Sequence, residues 1–192
     1  MPENNLPYHA LGEICQHCQS LMLALLAENP QLKRRNYRRG DILLMQGNRQ
    51  ELGYYLEQGM LVSSRVNEEG RVRYKEFYFP TELSLLFAEW LRKTPSYYQI
   101  SALADAQVVE VPLVLLDSLK WQTLRLRLLE QQLLFKEAKE AFLLLNTLEQ
   151  RYQFLQQYKA NWLEAVSNQD LANYLATTPQ ALSRLKTRIK QS

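Results

Sequence analysis

At 192 residues, with 46% hydrophobic and 22% charged residues, the chain has the make-up of a soluble globular protein and room for one large domain or two small ones. Its net charge of +3 excludes a global basic field, so any nucleic-acid reading must rest on local charge. Arg and Lys interrupt every Leu-rich stretch before it reaches the length of a membrane span, and MPENNLPYHALG lacks a basic-then-apolar leader, so the expected location is cytoplasmic, with no membrane partner.

Residues 9 to 28 read as one or two helices, with Leu21 to Leu26 strongly apolar. Cys15 and Cys18 sit within this pattern as Cys-Gln-His-Cys. A zinc or iron–sulfur site needs about four ligands, and the nearby His9 and His17 are the remaining soft candidates. Positions three apart share a helix face, so two half-buried thiols in a packing helix is the preferred reading over redox or metal sensing. Between Lys33 and Arg39, five of seven residues are basic; their alternation into a following strand points to a solvated strand edge.

From Arg39 to Val111 the hydrophobic period falls to two. Strands are expected at Asp41–Gln46, Leu52–Gln58, Met60–Val66, Val72–Phe79, Tyr97–Leu103 and Gln107–Val111, with Gly40, Gly47, Gly59 and Gly70 at the turns. Asn67-Glu68-Glu69-Gly70 closes a hairpin. A helical insert is expected over Glu82–Arg92. Many short strands with regular turns suggest a sandwich or barrel.

After Pro112 the pattern is helical: a short helix over Pro112–Leu119, a long one from Thr123 to about Leu148, and a separate one over Arg151–Tyr158. In the long helix, Leu124, Leu128, Phe135, Ala138, Phe142 and Leu145 follow the four-then-three spacing of a seam, with Gln131 its polar member. Leu126, Leu129, Leu133 and Leu143 form a second apolar stripe. One stripe packs on the barrel and the other needs a partner. The first seam is assigned to a second copy of the same helix, giving a two-fold homodimer. The alternative is that both stripes are buried within one subunit.

The last 25 residues read as two short helices around a tight turn. Ser167 is placed to cap the first, with Asp170 near its N-terminus and Leu171, Ala172 and Leu175 on its buried face. Thr178 suits an N-cap and Pro179 the first position of the second helix, which runs to about Lys190. Ala181, Leu182, Leu185 and Ile189 face inward. Arg184, Lys186, Arg188 and Lys190 add four positive charges, with no acidic residue after Asp170. This is the pattern of a helix-turn-helix, whose second helix lies in the major groove. Gln180 and Arg184 are the candidate base readers, matching the bidentate pairings of Gln with adenine and Arg with guanine. Thr178, Ser183, Thr187, Arg188 and Lys190 are candidate phosphate contacts. The competing reading of this segment is an ordinary helical hairpin with a solvated charged face.

The order of small barrel, long helix and helix-turn-helix resembles the Crp/Fnr family of bacterial transcription regulators over nearly the whole chain. The pieces that carry the resemblance are RRGDILLMQGN, YYLEQGMLV, NEEGRVRYKEFYFPTEL, ALADAQVVEVP, LEQRYQFLQQY and NQDLANYLATTPQALSRLKTRI. The terminal pattern looks like a subgroup that lacks much of the C-terminal wing. The resemblance implies an α+β fold: an N-terminal β-barrel or jelly-roll cyclic-nucleotide-binding-like domain over 1–120, a dimerisation helix over 121–147 and a helix-turn-helix domain over 148–192. It also implies a homodimeric, sequence-specific DNA-binding regulator. Coupling would run through the long helix, whose packing sets the two DNA-binding domains relative to each other.

The family's phosphate cassette uses a Gly-Glu pair followed by Arg-Ser/Thr-Ala. Here Thr81-Glu82-Leu83 lacks the Gly, and Pro95-Ser96-Tyr97-Tyr98 lacks the Arg, with Arg92 and Lys93 displaced nearby. Loss of a desolvated guanidinium removes about 2–5 kcal/mol of phosphate binding. No ordinary cyclic AMP response is therefore expected, and no cofactor. Glu82, Ser96 and Tyr97 remain the candidate pocket for an unidentified small-molecule effector. The family's oxygen-sensing branch holds a cluster on four cysteines, and this chain has two.

Double-stranded DNA and a second copy are the expected partners, with RNA polymerase a further candidate. An enzyme is disfavoured: there are two histidines, and no nucleophile motif, Gly-rich phosphate loop or metal-ligand cluster. The alternative function is a ligand- or protein-binding sensor module that does not bind DNA. On the regulator reading, Arg184→Ala relaxes one base position by about 1–3 kcal/mol, whereas Lys190→Ala weakens binding to all sequences alike. Titrations against single-base variants of the site check this, and identical behaviour of the two variants would remove the groove assignment.

Overall fold

The period of two becomes a pair of four-stranded antiparallel sheets in a computed structural model that describes residues 6–70, 72–158 and 160–191. Side chains are described for all of these except 6–11, 158, 161, 162, 165 and 190, so His9 and the Lys190 side chain lie outside the described residues. A first helix, α1 (Leu6–Glu28), leads into β1 (Arg34–Tyr37), β2 (Ile42–Leu44), β3 (Leu52–Gln58), β4 (Leu61–Val66), β5 (Val72–Tyr78), β6 (Leu83–Ser84), β7 (Gln99–Ala102) and β8 (Ala106–Pro112). The sheet orders are β1-β8-β3-β6 and β2-β7-β4-β5, the two interleaved Greek keys of a jelly roll, left open rather than closed as a barrel.

Two apolar layers follow from strand alternation. Tyr54, Leu56, Ala106 and Val108 point between the sheets, where they meet Leu44, Leu61, Tyr78, Leu86 and Ile100. Their neighbours Tyr55, Val109 and Val111 point out of the first sheet and are covered by Cys18, Met22 and Leu25 of α1 together with Trp121, Leu124 and Leu128. The central strands β3 and β8 are therefore buried on both faces, which is why apolar residues stand at successive positions in Tyr54-Tyr55-Leu56 and Val108-Val109.

The basic run is indeed an exposed edge strand. Arg34 pairs with Glu57 at 3.2 Å and Arg35 with Glu110 at 3.0 Å. The helical insert is shorter than expected. Leu83 and Ser84 form β6, paired through Tyr54 and Tyr55, and the helix α2 is Phe87–Arg92, closed by Lys93 at φ 54. The two buried residues of β6 are too few to show a period of their own. The short helix is α3 (Leu113–Leu116), followed by a 3₁₀ turn over Leu119–Trp121.

The long helix α4 is Gln122–Leu145 and stops three residues early. Thr147 and Gln150 form a reciprocal capping box: Gln150 N–H donates to Thr147 Oγ1 at 3.3 Å, and Thr147 N–H to Gln150 Oε1 at 2.9 Å. The helix α5 (Leu148–Tyr158) starts there, followed by α6 (Ala160–Ala165), α7 (Asn168–Tyr174) and α8 (Pro179–Gln191). The chain divides into two compact units, Met1–Phe135 and Lys136–Ser192. The division falls inside α4, so the segment expected as a separate dimerisation helix over 121–147 is shared between them.

Burial varies along the seam expected at the dimer. Leu124 and Leu128 are 1% and 3% exposed, packed in the first unit's own core. Ala138 and Phe142 are also buried, Phe142 meeting Phe154 edge to face at 5.4 Å between ring centres. Phe135 is half-buried, and Leu145 is exposed at the helix end. Moving Leu124 or Leu128 to a partner would give up about 2 kcal/mol each of burial already secured. In the second stripe Leu129 packs against the same core and Leu143 is half-buried, while Leu126 and Leu133 are 54% and 62% exposed. They are seven residues apart and so share a face two turns apart.

Gly59 joins β3 to β4 at φ +87, and a Cβ there would lie 2.0 Å from the Asp105 carbonyl oxygen. Gly59→Ala is expected to destabilise the jelly roll by about 2–4 kcal/mol, combining backbone strain with displacement of the β7–β8 turn. Denaturant unfolding measures it, and a loss below about 1 kcal/mol would contradict the close approach.

Candidate nucleic-acid interface

Both ends of α7 and the start of α8 are closed by specific bonds. Ser167 Oγ accepts from Asp170 N–H at 3.2 Å and donates to Asp170 Oδ2 at 2.7 Å, fixing the start of α7. At the other end Thr177 N–H donates to Ala172 O at 2.9 Å and Ala176 N–H to Asn173 O at 3.2 Å. These are the two bonds of a Schellman motif, with Ala176 at φ 54 in the place glycine usually takes. Thr178 Oγ1 then accepts from Ala181 N–H at 3.2 Å, and Pro179 occupies the first position of α8. Leu171, Ala172, Leu175 and Leu182 are fully buried and Leu185 nearly so, so the two helices meet over their short apolar residues.

That packing sets the outward face of α8. Gln180, Ser183, Arg184, Thr187 and Arg188 are all exposed. Gln180 and Arg184, one turn apart, carry no side-chain bond among the described residues, so both are free to meet a base edge. The other sequence-chosen residues are partly engaged. Ser183 Oγ accepts from Asn168 Nδ2 at 3.1 Å, Thr187 Oγ1 donates to Ser183 O at 3.1 Å, and Arg188 Nη2 meets Glu149 Oε2 at 2.6 Å. Thr178 uses its oxygen as a cap and keeps its O–H for a further acceptor. Lys186 is turned inward, 5.7 Å from the Tyr152 ring centre. Lys190 belongs to α8 by its backbone.

Two residues that sequence reasoning missed hold this face. Asn168 Nδ2 reaches both Ser183 Oγ and Pro179 O, at 3.1 and 3.3 Å, tying α7 to the start of α8. Arg151 of α5 donates through Nη1 to Leu175 O at 2.5 Å, inside the turn between the two helices. Asn168 follows a capping serine and Arg151 lies in a helical run, so neither had a motif to mark it.

In the jelly roll, Glu82, Ser96 and Tyr97 each have a local role rather than a shared cavity. Glu82 is exposed and its Oε2 accepts from Phe79 N–H at 3.0 Å, closing the turn before β6. Ser96 is buried; its Oγ donates to Met45 O at 2.9 Å and its carbonyl accepts from Gly47 N–H at 2.8 Å, stapling the loop after β2. Tyr97 is exposed beneath Arg65, 3.5 Å from the ring centre. Cavities of about 470 and 490 Å³ open elsewhere on this unit, and none of the three residues lines them. The side-chain oxygens of Glu82 and Ser96 are bonded within loops, and Tyr97 offers its ring to Arg65.

No family model matches the chain. It is 27% identical over 209 aligned positions to the anaerobic regulatory protein of Aggregatibacter actinomycetemcomitans, covering 94% of this chain and 80% of that one. FixK2 of Bradyrhizobium japonicum superposes with a TM-score of 0.67 at 19% identity, covering 83% of this chain and 85% of its own. A CRP-family transcriptional regulator of Thermus thermophilus gives 0.64 at 18% identity, covering 82% and 84%. The fold is that of the Crp/Fnr regulators. The cyclic-di-GMP-responsive global regulator CLP of Xanthomonas campestris shares it with a TM-score of 0.63 at 13% identity, covering 90% and 91% of the two chains. The Aggregatibacter protein is named as a regulatory protein, the Thermus protein as a transcriptional regulator and CLP as a global regulator.

Thr81 sits at φ 76, a conformation that favours glycine and strains a β-branched residue. Pro95-Ser96-Tyr97-Tyr98 lacks the arginine that the resemblance expects, and the Ser96 hydroxyl is committed to Met45. Lys93, the displaced cation, is bonded to Asp117 Oδ2 at 2.6 Å. Burial pushes the Tyr78 hydroxyl pKa upward between the sheets, with Glu76 nearby adding to the shift. No helix among the described residues is long and apolar enough to cross a membrane.

Cys18 is packed in the α1 core while Cys15 is exposed and accepts from Gln131 Nε2 at 3.0 Å. Burial, with Cys15 beside it, pushes the Cys18 thiol from its ordinary 9.0 up to about 12. The folded chain thus holds this proton at a pH where the unfolded chain has released it. The resulting stability is complete below about pH 9 and is lost as pH rises toward about 12. Alkylation at about pH 8 is expected to label Cys15 and spare Cys18 until the chain unfolds, as read by peptide mass. Equal labelling of both in the folded chain would contradict the packing role.

Proposed function

We propose that this chain is a sequence-specific DNA-binding transcription regulator that acts as a cytoplasmic homodimer and performs no catalysis. The observation that carries the proposal is the exposed face of α8. It presents Gln180 and Arg184 unbonded beside a charge run of one sign, on a helix whose start is fixed by the Thr178 cap. Helix-turn-helix proteins present bases with this N-terminal part of the second helix. Arg188 and Lys190 supply phosphate charge, and Ser183 and Thr187 flank the base readers. RNA polymerase is the protein partner that such a regulator would address.

Dimerisation is proposed through Leu126 and Leu133, the exposed stripe of α4, in place of the buried seam. Two copies related by a two-fold axis would bring these leucines together and place one α8 in each half of a palindromic site. The jelly roll is proposed to lack an ordinary cyclic AMP response. Thr81 stands in place of the cassette Gly, Pro95-Ser96-Tyr97-Tyr98 lacks the Arg, and Leu44, Leu56, Leu61, Tyr78 and Ile100 fill the space between the sheets.

Selection of bound duplexes from a random pool, followed by gel shift across a salt series, tests the proposal. The expected result is a palindromic site whose log affinity falls with log salt by about 0.9 per neutralised phosphate. Absence of duplex binding at low salt, with and without cell extract, would overturn it in favour of a sensor module. Leu133→Glu is expected to shift the chain to monomer by light scattering and to weaken palindrome binding. At this exposed position it should change unfolding stability by no more than about 0.5 kcal/mol. A variant that stays dimeric would place the interface elsewhere.

A further inference from the structure

Arg151 occupies an unusual position in the second unit. It lies in the first turn of α5 and is partly buried. Its Nε donates to Asn146 O at 3.0 Å, just past the end of α4, and its Nη1 donates to Leu175 O at 2.5 Å, the C-cap of α7. Both acceptors belong to helix C-termini, where carbonyls lack intrahelical partners and the helix dipole is negative. Among the described residues no carboxylate pairs with Arg151, so these two helix ends are its electrostatic partners.

The neighbouring bonds leave few other ways to satisfy these groups. Asn146 Nδ2 already returns to Phe142 O at 3.2 Å, and the Schellman bonds of α7 use Ala172 O and Asn173 O, leaving Leu175 O to the guanidinium. One planar cation thus ties the last turn of α4 to the turn that launches α8. Rotating α8 about the end of α4 breaks one of the two bonds.

We infer that Arg151 is a positioning residue that fixes the angle at which α8 leaves α4, and hence the half-site spacing that a dimer accepts. This rests on the DNA-binding reading of α8. It assigns Arg151 no contact with DNA: base choice stays with Gln180 and Arg184, and spacing is set by the double cap. Lysine keeps the charge but must serve both carbonyls from one nitrogen, so it restores the function only in part.

The test uses the full-length chain and the palindrome selected for the wild type, with its spacer changed by one and two base pairs, alongside a duplex holding one half-site. Wild type is expected to prefer its own spacer. Arg151→Ala is expected to lose about 10-fold or more of that preference, the scale of one lost hydrogen bond to a charged donor, while half-site affinity changes less than about twofold. Arg151→Lys should fall between the two, and it carries the test if the alanine variant is unfolded by circular dichroism. Unchanged spacer preference in a folded variant overturns the inference. So does an equal loss on half-site and palindrome, which would mark a merely structural cap. Failure of wild type to bind any duplex would instead strike the DNA-binding reading itself.

Discussion

The two-sided burial of the central strands β3 and β8 is the constraint on which the first unit depends. Tyr54, Leu56 and Val108 fill the space between the sheets, and that alternation forces Tyr55, Val109 and Val111 outward. A second apolar face cannot be left to water. The helix α1 and the first half of α4 cover it, with Cys18, Met22 and Leu25 on one side and Leu124 and Leu128 on the other. Once these two leucines are committed, the opposite side of α4 is the side that faces out. The open stripe at Leu126 and Leu133 is thus a consequence of strand alternation in the jelly roll.

The second unit is held in a different way. Its helices are short, and isolated helices of this length are marginal in water. Their ends are closed by side chains: Thr147 with Gln150, Ser167 with Asp170, Thr178 at the start of α8, and Arg151 across two C-termini. The buried leucines supply the attraction, and the caps supply the angles. An outward face with Gln180 and Arg184 in defined positions requires both. In the jelly roll, too, side chains hold loops: Glu82 bonds Phe79 N–H and Ser96 bonds Met45 O.

Much of this architecture was legible in the sequence. Alternation and glycine spacing marked the main strands, and the Ser167, Thr178 and Pro179 signals marked the terminal helices, because these features act over a few residues. The two residues of β6 were too short to show a period and were absorbed into a helix. The capping box at Thr147 and Gln150 was present in the sequence, but the apolar run up to Leu148 masked it. Arg151 and Asn168 had no local signature, since their acceptors lie 24 and 11 residues away. Ser183, Thr187 and Arg188 were placed correctly on the outer face of α8, yet their internal bonds depend on neighbours brought in by folding.

The helix α4 separates most sharply what each level decides. Its sequence alone determined that a long helix carries two apolar stripes and that both need cover, because a period near 3.6 places residues on faces without reference to surroundings. The sequence held no term for what lies beside each face. The tertiary structure decided that Leu124 and Leu128 belong to the core and that Leu126 and Leu133 face out. The physical reason is that burial belongs to the pair of surfaces in contact, and the partner surface of α4 is a sheet assembled from strands far away in the chain.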